Sequence, residues 1–259
     1  MIRQSKFSGS FYPNSPDEIR EMFKHFNQTQ SAKAPKNIKA VIVPHAGYIY
    51  SGFTAHQIFS HLQEENYKRV VVIGPSHHIY FEGTSISMQD KYETPLGELE
   101  IDNSYSKFLL NKFNLGFAEA AHKEHSTEVQ MPFIKEYLPN LPIIEMVYSG
   151  EEPNKLVPII EYLLNSETLV VISTDLSHFH TLKEANSLDK ICLDAIETLD
   201  TKKLHNGCEA CGIIGVEALL LAAKSLNLKS KLSSYTTSAD ASKDETSVVG
   251  YAGAFIYKS

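Results

Sequence analysis

The feature that most constrains the fold is a set of short, β-branched apolar runs, Lys39 to Val43, Arg69 to Ile73, Ile143 to Tyr148 and Leu169 to Ser173. Each is too short for a helix and rich in Val and Ile, so each reads as a strand buried on both faces. Around them, apolar residues recur at helical spacing over Ser51 to Gln63, Ser104 to Phe113, Ser126 to Leu138, Pro153 to Leu164 and Leu182 to Leu199. Such alternation predicts an α/β fold with a largely parallel central sheet covered by helices.

The remaining segments fit around that sheet. Thr94-Pro95-Leu96-Gly97 is a turn between extended stretches, which predicts an edge hairpin over Thr84 to Ile101. The run IIGVEALLLAAKSLN after Cys211 is apolar on most faces, as a buried helix would be. Lys229 to Thr237 and Val248 to Tyr257 alternate as strands, with a polar loop from Ser238 to Thr246. No repeat, low-complexity tract or linker interrupts the 259 residues, so one domain over 1–259 is expected.

Composition excludes several function classes. A hydrophobic fraction of 42% is enough for a buried core. A net charge of -7 argues against a nucleic-acid partner. No apolar run reaches the roughly 18 residues of a membrane span, so none is expected. Three cysteines are an odd number, and MIRQSKFSGSFYP lacks the apolar core of a signal peptide. A reducing, cytoplasmic compartment is the expectation.

The chemistry gathers at strand ends, where ligands bind in open α/β sheets. Val43-Pro44-His45-Ala46-Gly47-Tyr48 leaves the first strand with a proline, then a histidine, then a glycine that permits a tight turn. Ile73-Gly74-Pro75-Ser76-His77-His78 repeats that grammar with two imidazoles, which an extended backbone would point oppositely, leaving one for the crevice. Ile172-Ser173-Thr174-Asp175-Leu176-Ser177-His178 offers His178 as an acid/base group or ligand, and Asp175 to fix an imidazole's tautomer. One strand-end histidine is as readily a backbone cap as a ligand, but three at equivalent ends are not. Ser126 reads as a helix N-cap with Glu128 in the first turn, which leaves His125 without a structural task. Cys208-Glu209-Ala210-Cys211 has C-x-x-C spacing but no second pair to complete a zinc site. Cys192, in an amphipathic helix, reads as packing.

Taken together, PHAGYIYSG (44 to 52), GPSHH (74 to 78), TPLGELEID (94 to 102), EHSTEVQMPF (124 to 133) and STDLSH (173 to 178) resemble the Memo-like family, including AmmeMemoRadiSam system protein B. GSFYP (9 to 13) and SVVGYAGAF (247 to 255) extend the resemblance to nearly the whole chain. It implies a single Memo-like domain similar in fold to class III extradiol dioxygenases (LigB-like), which hold Fe(II) with two histidines and a glutamate and use another histidine for acid/base work. Carried across, His45 and His77 match the metal histidines and His178 the third active-site histidine. In eukaryotic Memo proteins a cysteine lies between a His-Asn pair and an Ile-Gly-Val. Aligning those anchors on His205-Asn206 and Ile214-Gly215-Val216 without gaps puts Glu209 there, completing a facial triad suited to Fe(II). A one-residue shift would bring Cys208 instead and favour Cu or Zn.

The resemblance therefore implies a metal-dependent, dioxygenase-like redox enzyme. His45, His77 and Glu209 would hold iron, with His178, His125 and Asp175 catalytic and Tyr48 and Ser76 donating into the crevice. The alternative is a non-catalytic scaffold that retains a metal and binds a peptide or protein, and metal-assisted hydrolysis ranks third. A small molecule or peptide would occupy the crevice, and the family name implies AMMECR-like and radical-SAM partners.

Overall fold

The computed structural model describes residues 1–28, 33–62 and 67–259. Its strands are β1 (Ile2–Arg3), β2 (Ile38–Val43), β3 (Arg69–Pro75), β4 (Gly83–Ile86), β5 (Lys91–Tyr92), β6 (Leu99–Glu100), β7 (Ile143–Ser149), β8 (Thr168–Ser173), β9 (His178–His180), β10 (Lys229–Thr237) and β11 (Val248–Tyr257). Its α-helices are α1 (Pro16–Phe26), α2 (Tyr48–Phe59), α3 (Asn103–Phe113), α4 (His125–Glu128), α5 (Met131–Tyr137), α6 (Pro153–Leu164), α7 (Leu182–Thr198), α8 (Thr201–Leu204), α9 (Ile213–Ser225) and α10 (Ala239–Ser242).

The four β-branched runs form the centre of the main sheet, whose order is β10-β11-β2-β8-β3-β7-β4. β2, β8, β3 and β7 run parallel to one another. β11 joins β2, and β4 joins β7, antiparallel. The sheet is therefore mixed rather than largely parallel. A short connection brings β11 back beside β10, and a hairpin-like return of that kind can only be antiparallel. β9 adds to the free end of β11, also antiparallel.

Alternation along a strand divides the core into two layers. On β3, Val71 and Ile73 join the cluster formed with α6, α7 and α9, while Val70 and Val72 join the one formed with α1, α2 and α5. All four are fully buried. Each such side chain contributes roughly 1.5–3 kcal/mol over its exposed state, which sets the strand's register firmly. Together the layers make one α/β domain.

Three local readings change. The Thr84 to Ile101 segment is not one edge hairpin. β4 pairs with β7, whereas β5 and β6 form the hairpin in a separate sheet with β1. The Thr94–Gly97 turn closes that hairpin with Gly97 at φ 118°. The predicted helix over Ser126 to Leu138 breaks into α4 and α5, because Pro132 is tolerated only in the first turn of the second helix. The loop after β10 holds a single helical turn, α10. The helix expected over Ser51 to Gln63 runs instead from Tyr48 to Phe59, ending before Gln63, which itself lies outside the described residues. No helix among the described residues is long and apolar enough to cross a membrane.

β2, β8 and β3 are adjacent and parallel, so the chain leaves all three at one rim. His45 follows β2, Asp175 follows β8 and His77 follows β3. α4 is fastened to the same rim where Ser126 Oγ donates to the Pro75 carbonyl at 2.7 Å. Only glycine fits at 74, since a Cβ there would lie 2.6 Å from Ser126 Oγ.

Candidate metal centre

His45 is buried with its orientation fixed at two points. Its backbone N–H donates to Asp175 Oδ1 at 2.7 Å, and its Nδ1 lies 2.9 Å from Ser173 Oγ. The Ser173 hydroxyl spends its one proton on the Ser126 carbonyl at 2.5 Å and accepts from Gln130 Nε2 at 2.9 Å. It has only a lone pair left for His45, so Nδ1 carries the proton and Nε2 is bare. Burial, with the neighbouring His77 and His125 imidazoles, holds the His45 pKa well below its ordinary value, which keeps the ring neutral. The bare Nε2 lies 3.4 Å from Cys211 Sγ.

His77 and His125 meet at Glu124, whose side chain is buried. Their Nδ1 atoms lie 3.2 and 2.9 Å from Glu124 Oε1. The backbone N–H groups of His77 and His78 donate to Oε2 at 2.7 and 3.3 Å. Burial alone would raise this carboxyl's pKa, but hydrogen bonds from His125 and His77 outweigh it and hold the group well below the carboxylate range. The backbone bends after β3, so His78 does not point away as an extended chain would require. Its Nε2 reaches to 3.1 Å from His125 Nδ1. The rings of His45, His77 and His125 are mutual neighbours, with centroids 4.6 to 5.4 Å apart.

The side chain brought next to His45 and His77 is that of Cys211 rather than the expected Glu209. One nitrogen from each imidazole and the Cys211 sulfur all lie within 4.8 Å of one another. Glu209 turns to solvent and pairs with His180 at 2.7 Å. The cause is where the loop docks. The Cys211 backbone N–H bonds the Asp175 carbonyl at 3.2 Å, the Gly212 N–H bonds Thr174 Oγ1 at 2.9 Å, and the Asp175 N–H points at Cys211 Sγ from 3.3 Å. A Cβ on residue 212 would lie 2.7 Å from Thr174 Cβ, so glycine is what lets the loop come this close. Cys208 is excluded as a ligand by its disulfide to Cys192, which is therefore not mere packing. The odd cysteine count is a bonded pair plus one free thiol, and no longer argues for a reducing compartment. Burial and the Asp175 carboxylate push the metal-free Cys211 thiol up to about 12.

A second grouping, His77, Glu124 and His125, also has donor atoms within 4.8 Å of one another. It is two imidazoles and a carboxylate by composition, but both carboxylate oxygens are taken up by N–H groups. It is a hydrogen-bond network behind the centre.

The other expected residues divide. His178, on β9, is half-buried and close enough for its charge to act on His45 and Asp175. Asp175 fixes the His45 backbone rather than an imidazole nitrogen; burial raises its pKa, with the His45 N–H opposing. Tyr48 spends its hydroxyl on the Val129 carbonyl at 2.8 Å, and Ser76 on the Ile79 carbonyl at 2.7 Å, so neither donates into the crevice. Phe7 stacks on His78 with centroids 5.2 Å apart, and Phe11 lies 4.7 Å from His125. This aromatic wall is not among the expectations from sequence, and only Phe11 of it lies within GSFYP (9 to 13).

The Memo-like protein family model matches residues 3–255. A MEMO1 family protein of Nitrosopumilus maritimus is 32% identical over 97% of this chain and 98% of its own length. One of Methanococcus vannielii is 34% identical over 99% of each. The crystal structure of the uncharacterized protein JW3007 from Escherichia coli K12 shares the fold with a TM-score of 0.56 at 12% identity, over 84% of this chain and 98% of that one. With a match this long, and relatives this similar from end to end, the chain belongs to the Memo-like family.

Proposed function

We propose that this protein binds one transition-metal ion through His45 Nε2, His77 Nε2 and Cys211 Sγ, and uses it in a redox reaction on a ligand admitted at the crevice. The observation that carries the reading is the meeting of three donor atoms from three distant stretches of sequence within 4.8 Å. The donor set fits such an ion: the His45 nitrogen is bare and neutral, and the free Cys211 thiol lies beside it. A thiolate beside two imidazoles favours copper or zinc over the iron that a carboxylate triad would favour, so copper is the redox ion we expect first and iron second.

Such an ion would supply one-electron chemistry and Lewis acidity at coordination positions the protein leaves open. The chain's own residues orient and move protons around it. Ser173 and Asp175 fix His45, while His125 and His178 stand at the rim as acid/base groups. The extradiol-dioxygenase form of this reading asks for two imidazoles and a carboxylate, and the position of Glu209 against His180 weakens it. Exposed Ile49 and Phe179, close in sequence to His45 and His178, favour the binding-scaffold reading as second. Action alongside AMMECR-like and radical-SAM proteins rests on the family association.

The test is metal analysis of protein purified without oxygen, followed by oxygen uptake against a catechol panel. Absence of stoichiometric copper, iron or zinc ends the metal reading. Bound metal without turnover, together with stable capture of an AMMECR-like or radical-SAM protein, favours the scaffold.

A further inference from the structure

Five nitrogens converge on the Glu124 carboxylate, three of them backbone N–H donors and two imidazole Nδ1 atoms. Oε1 faces the Ser126 N–H at 3.1 Å, His77 Nδ1 at 3.2 Å and His125 Nδ1 at 2.9 Å. Oε2 faces the backbone N–H groups of His77 at 2.7 Å and His78 at 3.3 Å. Capping α4 needs only the Ser126 bond, so the cap does not account for the rest. A carboxylate stripped of water is acceptor-only, and a bare ring nitrogen about 3 Å from it would set two lone pairs against each other. Both Nδ1 atoms must therefore carry hydrogen. His78 Nε2, 3.1 Å from His125 Nδ1, does not alter this, because reversing the His125 tautomer to accept from His78 would leave that bare nitrogen against the charged oxygen.

We propose that Glu124 is the positioning residue of the metal centre, fixing His77 and His125 as Nδ1-protonated tautomers so that each turns a bare Nε2 toward the crevice. The proposal rests on the metal reading above, and it gives one buried carboxylate two tasks. Through His77 it orients a ligand and makes it a stronger electron donor. Through His125 it prepares a proton acceptor beside the ligand. His45 reaches the same tautomer by a separate device, the Ser173 hydroxyl, so the two halves of the site can be perturbed independently.

The experiment is a long-range proton–nitrogen NMR spectrum of histidine-labelled, chelator-treated full-length protein near neutral pH, with the amide spectrum reporting that it is folded. Expected are Nδ1-protonated signatures for His45, His77 and His125. Glu124→Gln shifts His77 and His125 to tautomer mixtures while His45 is unchanged, and Ser173→Ala does the reverse. In copper(I) or zinc competition, Glu124→Gln lowers affinity by about 10-fold or more, as disturbing a ligand's hydrogen-bond partner does. Cys211→Ala abolishes tight binding and leaves all three tautomers in place. An Nε2-protonated His77 or His125 in the wild-type protein overturns the proposal, as do unchanged tautomers in Glu124→Gln. Should that variant not fold, the wild-type tautomers decide. Wild-type protein that shows the expected tautomers but binds no metal refutes the metal reading and leaves the positioning role standing.

Discussion

Cys211 and Glu209 are two positions apart, and their fates differ because the chain docks on the end of β8 at 211. Cys211→Ser should therefore reduce metal occupancy by about 10-fold or more, whereas Glu209→Ala should leave it within about 2-fold. Elemental analysis of both variants decides, and the opposite ranking would restore the glutamate as ligand. His56 makes a separate case. It is 1% exposed between Phe23, Phe26 and Tyr137, and neither ring nitrogen has a hydrogen-bond partner. Burial, with His61 nearby, lowers its pKa from 6.5 to about 4. The unfolded chain then binds a proton that the native one refuses, so stability is full above about pH 6.5 and falls as pH drops toward 4. The loss from this one group is on the order of 2 kcal/mol at pH 5, and His56→Leu should remove it; urea unfolding of both proteins at pH 7 and pH 5 measures the difference. His45 and His77 were legible because a histidine just after a buried strand announces its position by local pattern. Glu124, Ser173 and Gln130 were not, since a hydrogen-bond partner from another segment leaves no periodic trace. Cys211 was within reach, as its cysteine lies two residues beyond the ungapped alignment that selected Glu209.

Elements that pack by periodicity were read well, and those held by polar contacts were not. The strap before α1 shows the difference. Glu128 on α4, fully buried, accepts from the backbone N–H groups of Lys6 at 3.0 Å and Phe7 at 2.7 Å and from the Tyr12 hydroxyl at 2.7 Å. Arg3 Nη1, also buried, stands 2.6 Å from Oε2, the oxygen that accepts from Lys6. No apolar pattern encodes this, so Glu128 read as a first-turn acid and GSFYP only as a family resemblance. Because the strap carries Phe7 and Phe11 against His78 and His125, one carboxylate holds a wall of the crevice in place. Removing it strands a buried guanidinium. Glu128→Ala should cost about 3–5 kcal/mol and speed hydrogen exchange at the Lys6 and Phe7 amides more than in β3 or β8. Equal acceleration everywhere would mean that the strap is no separate unit.

At the scale of the molecule, the α/β class and the parallel run of the four central strands followed from the apolar runs, while strand order and the antiparallel outer strands did not, because pairing depends on contacts distant in sequence. The Cys192–Cys208 disulfide is of the same kind: it joins α7 to the loop before α9, across a sequence separation of 16. Closing a loop of that length stabilises the fold by about 3 kcal/mol through the entropy it removes from the unfolded chain. Yet the loop's business end is fastened elsewhere, by the bonds from Cys211 and Gly212 to the end of β8. Stability and metal binding should therefore separate. Cys192→Ala/Cys208→Ala should lower the thermal midpoint by roughly 6–12 °C while metal affinity changes by no more than about 3-fold. Melting curves and metal competition on the same preparation test both halves. A large loss of affinity would mean that the disulfide, rather than the β8 anchor, holds Cys211 in the centre.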